Sequence, residues 1–132
     1  MDTRTDWDRA LRLEDARVAR YGRPASVLVI ELGSVAVGAL DRHAARIGAV
    51  IRTHARETDR VARVAPTRFH VLLPETDEAE AGVFVERLGR ACRESMAGAA
   101  GPAVDIRTAA AGAPTSGTLG DALRVAEGRL AG

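Results

Sequence analysis

Lysine, asparagine and glutamine are absent from this chain, and cysteine occurs once. All 19 basic residues are arginine, so there is no Schiff-base lysine, no lysine to neutralise a phosphate and no side-chain amide to read a base edge. Genomic base composition is the simplest account of such a bias, and the chemical exclusions hold whatever its origin. A lone cysteine rules out an internal disulfide and any metal site built on several thiolates. Cys92 recurs with Ala81, Val85 and Leu88 at helical spacing, which reads as a buried core thiol rather than a reactive one. No apolar run is long enough to span a bilayer, and the opening MDTRTDWDR lacks the basic-then-apolar pattern of a secretory signal. A soluble, cytoplasmic protein with no membrane partner is expected. The net charge of +1 gives no reason to expect nucleic acid as a partner. At 132 residues, one domain over 1–132 with a core of its own is expected.

What is present is an ordered series of periodic segments. From Thr5 to Tyr21, Trp7, Ala10, Leu11, Val18 and Tyr21 share one helical face, with Thr5 or Asp6 placed to cap the first turn. Glu14 lies within that stripe and is expected to pair with an arginine where the helix packs. Gly22 to Pro24 breaks the helix, and Val27 to Leu32 reads as a buried central strand carrying Glu31 near its end. Gly33 and Ser34 close it. Val37, Leu40, Ala44, Ile47, Ile51 and Ala55 mark a second helix, on which His43 and His54 are expected to be solvated or at the edge of the apolar face. Val61 to Val64 and Phe69 to Leu73 flank the turn Ala65-Pro66-Thr67-Arg68 and form an antiparallel hairpin. Thr76 or Asp77 then caps a third helix through Ala81, Val85, Leu88 and Cys92, with Arg87 off the stripe. Met96 to Pro102 is a flexible connection, Val104 to Ala110 a further strand, and Thr118 to Leu130 a closing helix. Without its terminal helices this order is βαββαβ. The expected fold is therefore α/β of the α+β kind: a ferredoxin-like core with a mostly antiparallel sheet, helices on one face, and extra N- and C-terminal helices.

At the hairpin, RETDRVARVAPTRFHVLLPETD resembles the core of the GGDEF domain, the diguanylate cyclase family. RYGRPASVLVIEL, AGVFVERL and LRVAEGRL extend the resemblance over nearly the whole chain. In that family the turn carries two glycines, an acid, a metal-binding glutamate and a phenylalanine. With Phe69 on the signature phenylalanine, Ala65 and Pro66 fall on the glycines, Thr67 on the variable acid and Arg68 on the metal-binding glutamate. Glu31 matches the first metal-binding aspartate and reads as vestigial, because Gly33 replaces the second acid and Val35 the phenylalanine after it. The loop carrying the guanine-reading asparagine is shorter by roughly seven residues. Asp41 matches the aspartate that closes it.

Joining two GTP molecules requires metal ions to clamp the triphosphate and a turn whose backbone N–H groups approach it. Pro66 lacks that N–H, and Arg68 brings positive charge to the metal position. The expectation is a non-enzymatic domain with no metal or other cofactor. Arg68 would either bind an anion or be a solvated turn arginine. The resemblance further implies an inhibitory-type cyclic di-GMP site formed by Arg56, Asp59 and Arg87, because the family binds its product through an Arg-x-x-Asp and an arginine on the next helix. Guanidinium groups can bond guanine O6 and N7 and stack on the ring, while a carboxylate accepts from the ring nitrogens. The alternative reading of Arg56 and Asp59 is a helix-end ion pair. Two functions follow: a cyclic di-GMP receptor, or a protein-interaction module that dimerises or binds a protein partner, with Leu13 and the first helix as the surface to examine.

Overall fold

The apolar run around Val27 forms strand β1 (Ala25–Gly33) in the computed structural model, which describes residues 1–33, 37–97 and 104–131. Ala25 through Ile30 are all buried, because the strand is paired on both edges and covered on both faces. β3 (Arg68–Pro74) lies on one side of it and β4 (Asp105–Gly112) on the other, with β2 (Arg60–Ala65) outside β3. The order β2-β3-β1-β4 is that of the ferredoxin-like core, and all three pairings are antiparallel. Outside those strands, Asp2 makes an isolated parallel bridge to Ala62.

Alternation along the strands builds two cores. Leu28, Ile30, Phe69, Val71 and Leu73 point to α2 (Leu40–His54) and α3 (Glu78–Ala97), where they meet Ile47, Ile51, Leu88 and Cys92. Val27, Val29, Leu72, Ala109 and Ala111 point the other way, to Trp7 of α1 (Arg4–Tyr21) and to Leu119 and Ala126 of α4 (Leu119–Ala131). The terminal helices thus cover the face that the βαββαβ unit alone leaves bare. Each large aliphatic chain so buried stabilises the fold by roughly 1.5–3 kcal/mol.

Several local expectations are corrected. Thr3, not Thr5 or Asp6, caps α1: its hydroxyl accepts from the Asp6 N–H at 3.1 Å. The bridge from Asp2 to β2 fixes where the helix begins, which leaves Thr3 extended at φ −71° and ψ 167°. Tyr21 is exposed, because the chain turns away at Gly22 (φ 67°) and the ring lies beneath the Arg20 guanidinium. His43 is buried, one turn before Ile47 and within the core-facing arc of α2. Of the two cap candidates expected for α3, Asp77 takes the role, in a reciprocal box with Glu80 at 2.8 and 3.0 Å. Glu14 is buried and takes the Arg17 guanidinium at 3.0 Å, as expected of an acid in an apolar stripe. Ser34, Val35 and most of the connection after Met96 lie outside the described residues.

Cys92 is buried in the first core, and desolvation pushes its thiol up to about 11. Native protein should react with a disulfide reagent such as DTNB on the order of 100-fold more slowly than unfolded protein. Equal rates before and after guanidinium unfolding would refute the buried placement.

Candidate functional site

Two clusters of charged residues lie at opposite ends of the hairpin strands. At the turn, β2 carries a bulge between Arg63 and Ala65, and Pro66 and Thr67 close the loop. The Arg63 guanidinium donates to the Pro66 carbonyl at 2.7 and 3.1 Å and to Asp41 at 3.2 Å, which holds the loop back against the start of α2. The β1–β3 register sets Glu31 opposite Arg68. Arg68 Nε donates to Glu31 Oε2 at 2.9 Å, and its Nη1 donates to Glu127 Oε2 of α4 at 2.8 Å. The Thr67 hydroxyl donates to the other Glu31 oxygen at 2.9 Å. Hydrogen bonding to Glu31, followed by the charges of Glu31 and Glu127, raises the Arg68 pKa further.

Arg68 is therefore neither a solvated turn arginine nor a free anion receptor. It is a cation bridging two carboxylates across three elements. A divalent metal does not fit this donor set. Both Glu31 oxygens are occupied, and a guanidinium stands beside them where a hard cation would need further oxygens. Neither Thr67 nor Glu127 is a contact that spacing along the chain could reveal, because both depend on the register and on the docking of α4.

At the other end, α2 stops at Ala55 and the segment Arg56–Asp59 turns into β2. Asp59 N–H bonds the Arg56 carbonyl at 3.0 Å, and the Asp59 carboxylate accepts from Arg56 N–H at 2.8 Å. The same carboxylate takes the Arg56 guanidinium at 3.1 and 3.4 Å. Arg56 Nη2 also donates to the Pro74 carbonyl at 3.1 Å and to the Thr76 hydroxyl at 2.8 Å, and that hydroxyl in turn donates to the Pro74 carbonyl at 3.0 Å. The side chain of Asp59 is 0% exposed and that of Arg56 is 55% exposed. Asp59 and Thr76 thus fix the guanidinium, while Arg56 keeps an open face above a hollow of about 310 Å³ lined by Arg52, Glu57, Arg60, Met1 and Asp2.

Arg87 comes from α3. The two helices run antiparallel because the strands they follow do, and Arg46 Nη1 donates to the Ser95 carbonyl at 3.2 Å. His54 and Arg87 lie eight residues onward from Arg46 and eight back from Ser95, toward the same ends of the two helices. His54 is tied to the Val50 carbonyl at 3.0 Å, and the Arg87 guanidinium lies over the Phe84 ring at 5.5 Å. The fold thus brings Arg56 and Asp59 into direct contact and sets Arg87 on the neighbouring helix. Among the described residues, Arg87 makes no hydrogen bond or ion pair with either.

With this geometry in view, the solved structures that this one resembles form a single class. The chain has the fold of the GGDEF domain. The GGDEF domain of DgcB from Caulobacter crescentus, in complex with c-di-GMP, superposes with a TM-score of 0.85 at 14% identity over 97% of this chain and 82% of that one. The diguanylate cyclase SiaD from Pseudomonas aeruginosa, in complex with its activator SiaC, gives 0.82 at 20% identity over 93% of this chain. This chain spans about half the length of SiaD, 51% of it. The active GGEEF domain of a diguanylate cyclase from Vibrio cholerae gives 0.81 at 15% identity over 98% and 88% of the two chains. No family model and no curated protein matches the sequence. Among the described residues, no helix is long and apolar enough to cross a membrane.

Proposed function

We propose that this chain is a non-catalytic signalling domain on the GGDEF fold, which works as a receptor for cyclic di-GMP. The observation that carries the first half is the Arg68 bridge. A guanidinium bonded to Glu31 and Glu127 comes from the residue that the resemblance aligns with the family's metal-binding glutamate, and Pro66 has no N–H for a triphosphate.

The second half rests on Arg56. Its guanidinium is fixed by Asp59, Thr76 and Pro74, so little entropy is lost when it bonds or stacks on a guanine. Its Nη1 and one face remain open for this. The buried Asp59 takes a positioning role here, because Arg56 occupies both of its oxygens and the guanine ring nitrogens cannot reach it. Arg87, on the neighbouring helix α3, supplies the second guanidinium.

Calorimetric titration with cyclic di-GMP tests the reading. Micromolar binding is expected, weakened at least roughly tenfold in Arg56→Ala and in Arg87→Ala, since a charge-assisted contact is worth about 1.5–3 kcal/mol. Incubation with GTP and Mg²⁺ should yield neither dinucleotide nor pyrophosphate. Absence of binding at millimolar ligand would sink the receptor, and product formation would sink the non-catalytic assignment. The second reading, an interaction module, draws on Leu13 and Tyr21, which are 62% and 61% exposed on α1. Concentration-dependent sedimentation without nucleotide would favour it.

A further inference from the structure

The hollow beside Arg56 is walled on one side by the first residues of the chain. Asp2 N–H donates to the Val61 carbonyl at 2.8 Å, which lays Met1–Thr3 along the open edge of β2. The Asp2 carboxylate takes Arg60 in a two-pronged pair, Nε to Oδ2 at 2.8 Å and Nη2 to Oδ1 at 3.1 Å. Met1 also lines a second hollow with Gly48, Arg52 and Phe69, and its methyl carbon would lie 3.1 Å from a Cβ at Gly48. A larger residue at 48 would therefore press on this strap.

The side-chain charges lining the hollow balance. Arg52, Arg56 and Arg60 face Asp2, Glu57 and Asp59. Asp59 belongs to Arg56, and Asp2 belongs to Arg60. Among the described residues Arg52 has no ion-pair partner and is exposed. Removing Asp2 would free the fork of Arg60 in the hollow that Arg52 also lines, whose side chains then carry a net positive charge. Two guanidiniums on a shared concavity suit the oxygens of a phosphate ester.

We infer that Arg60 and Arg52 form an anion site for phosphate oxygens, and that Asp2 masks it by acting as an internal stand-in for the anion. The inference rests on the receptor reading for its natural ligand, because a dinucleotide whose guanine lies on Arg56 carries phosphodiesters that Arg52 and Arg60, which line the same hollow, could take. Displacement of the strap is then the step that opens the site, and strap and ligand compete.

The test compares wild type, Asp2→Asn and Asp2→Asn/Arg60→Ala, each checked for folding by circular dichroism. Two probes are used: inorganic pyrophosphate by thermal shift and cyclic di-GMP by calorimetry. Asp2→Asn should show salt-sensitive stabilisation by millimolar pyrophosphate that wild type lacks, and should bind cyclic di-GMP about fivefold or more tightly than wild type. The double variant should lose both gains. Equal responses of wild type and Asp2→Asn to both probes would overturn the inference, as would gains that survive Arg60→Ala. If pyrophosphate stabilises Asp2→Asn through Arg60 while no variant binds cyclic di-GMP, the masked site stands and the receptor reading falls. If wild type binds cyclic di-GMP and Asp2→Asn binds it no better, the receptor stands and the mask falls.

Discussion

Replacing Arg68 by alanine should lower the stability of the domain by roughly 2 kcal/mol, and replacing it by glutamate by roughly 3 kcal/mol. Arg68 is 29% exposed and Glu31 18%, so the pair is shielded enough for its hydrogen bonds to count yet not sealed from water. Alanine leaves Glu31 with only Thr67 as donor and frees Glu127 from the sheet. Glutamate adds a third carboxylate to the two already there. For a domain of this size the expected fall in melting temperature is about 5–12 °C. The double variant Arg68→Leu/Glu31→Leu should recover most of the loss, because replacing both members of a half-buried pair by apolar groups removes the desolvation cost together with the bond. Melting temperatures within about 1 °C of wild type for Arg68→Glu would show that the bridge holds nothing.

This bridge also marks where reading along the chain stopped. The strands were legible because their causes are local: VLVIEL is a continuous apolar run, and the hairpin has two β-rich segments around a proline turn. The helical stripes were legible for the same reason, and so was the need of Glu14, an acid within an apolar face, for a cation; its partner is Arg17 on the same helix rather than an arginine where the helix packs. For Arg68 local pattern offers only an anion binder or a solvated turn arginine. Its partners lie 37 and 59 residues away in sequence and meet it only after β1 pairs with β3 and α4 docks. Arg56 and Asp59 were found as a pair by resemblance and by their spacing. That the carboxylate is buried beneath the guanidinium depends on Pro74 and Thr76, which arrive from the far end of β3. Thr76 passed as a cap candidate by residue type alone. Local geometry selects Asp77 and leaves the Thr76 hydroxyl to Arg56.

His70 sits in the middle of the Phe69 to Leu73 run, and the period of two places it on the face of Leu72, beneath Trp7. It is buried, its ring lies 5.7 Å from that of Trp7, and among the described residues neither ring nitrogen has a hydrogen-bond partner. Burial, followed by the positive charges of Arg68 and Arg4, lowers its pKa from 6.5 to about 4, against a smaller opposing pull from Glu31. The folded state therefore holds the neutral ring, while the unfolded chain protonates near its ordinary value. Between those two pH values the unfolded state binds the extra proton. Stability from this group is complete above about pH 6.5 and is lost as pH falls toward 4, by roughly 3 kcal/mol in all. The loss should appear as loosening of α1, read by the fluorescence of Trp7, the single tryptophan. Carboxylates such as Glu78, whose pKa is lowered by the Gly112 N–H and by Arg129, add their own acid lability below the ordinary carboxylate range. The comparison that isolates the histidine is urea unfolding of wild type and His70→Leu at pH 7 and pH 4.5. Leucine removes two unpartnered polar atoms, so His70→Leu should match or exceed wild type at pH 7 and outlast it by roughly 2 kcal/mol at pH 4.5. Parallel stability curves for the two proteins over this range would mean that the imidazole is hydrated or bonded in solution and that α1 does not rest on a dry, neutral ring.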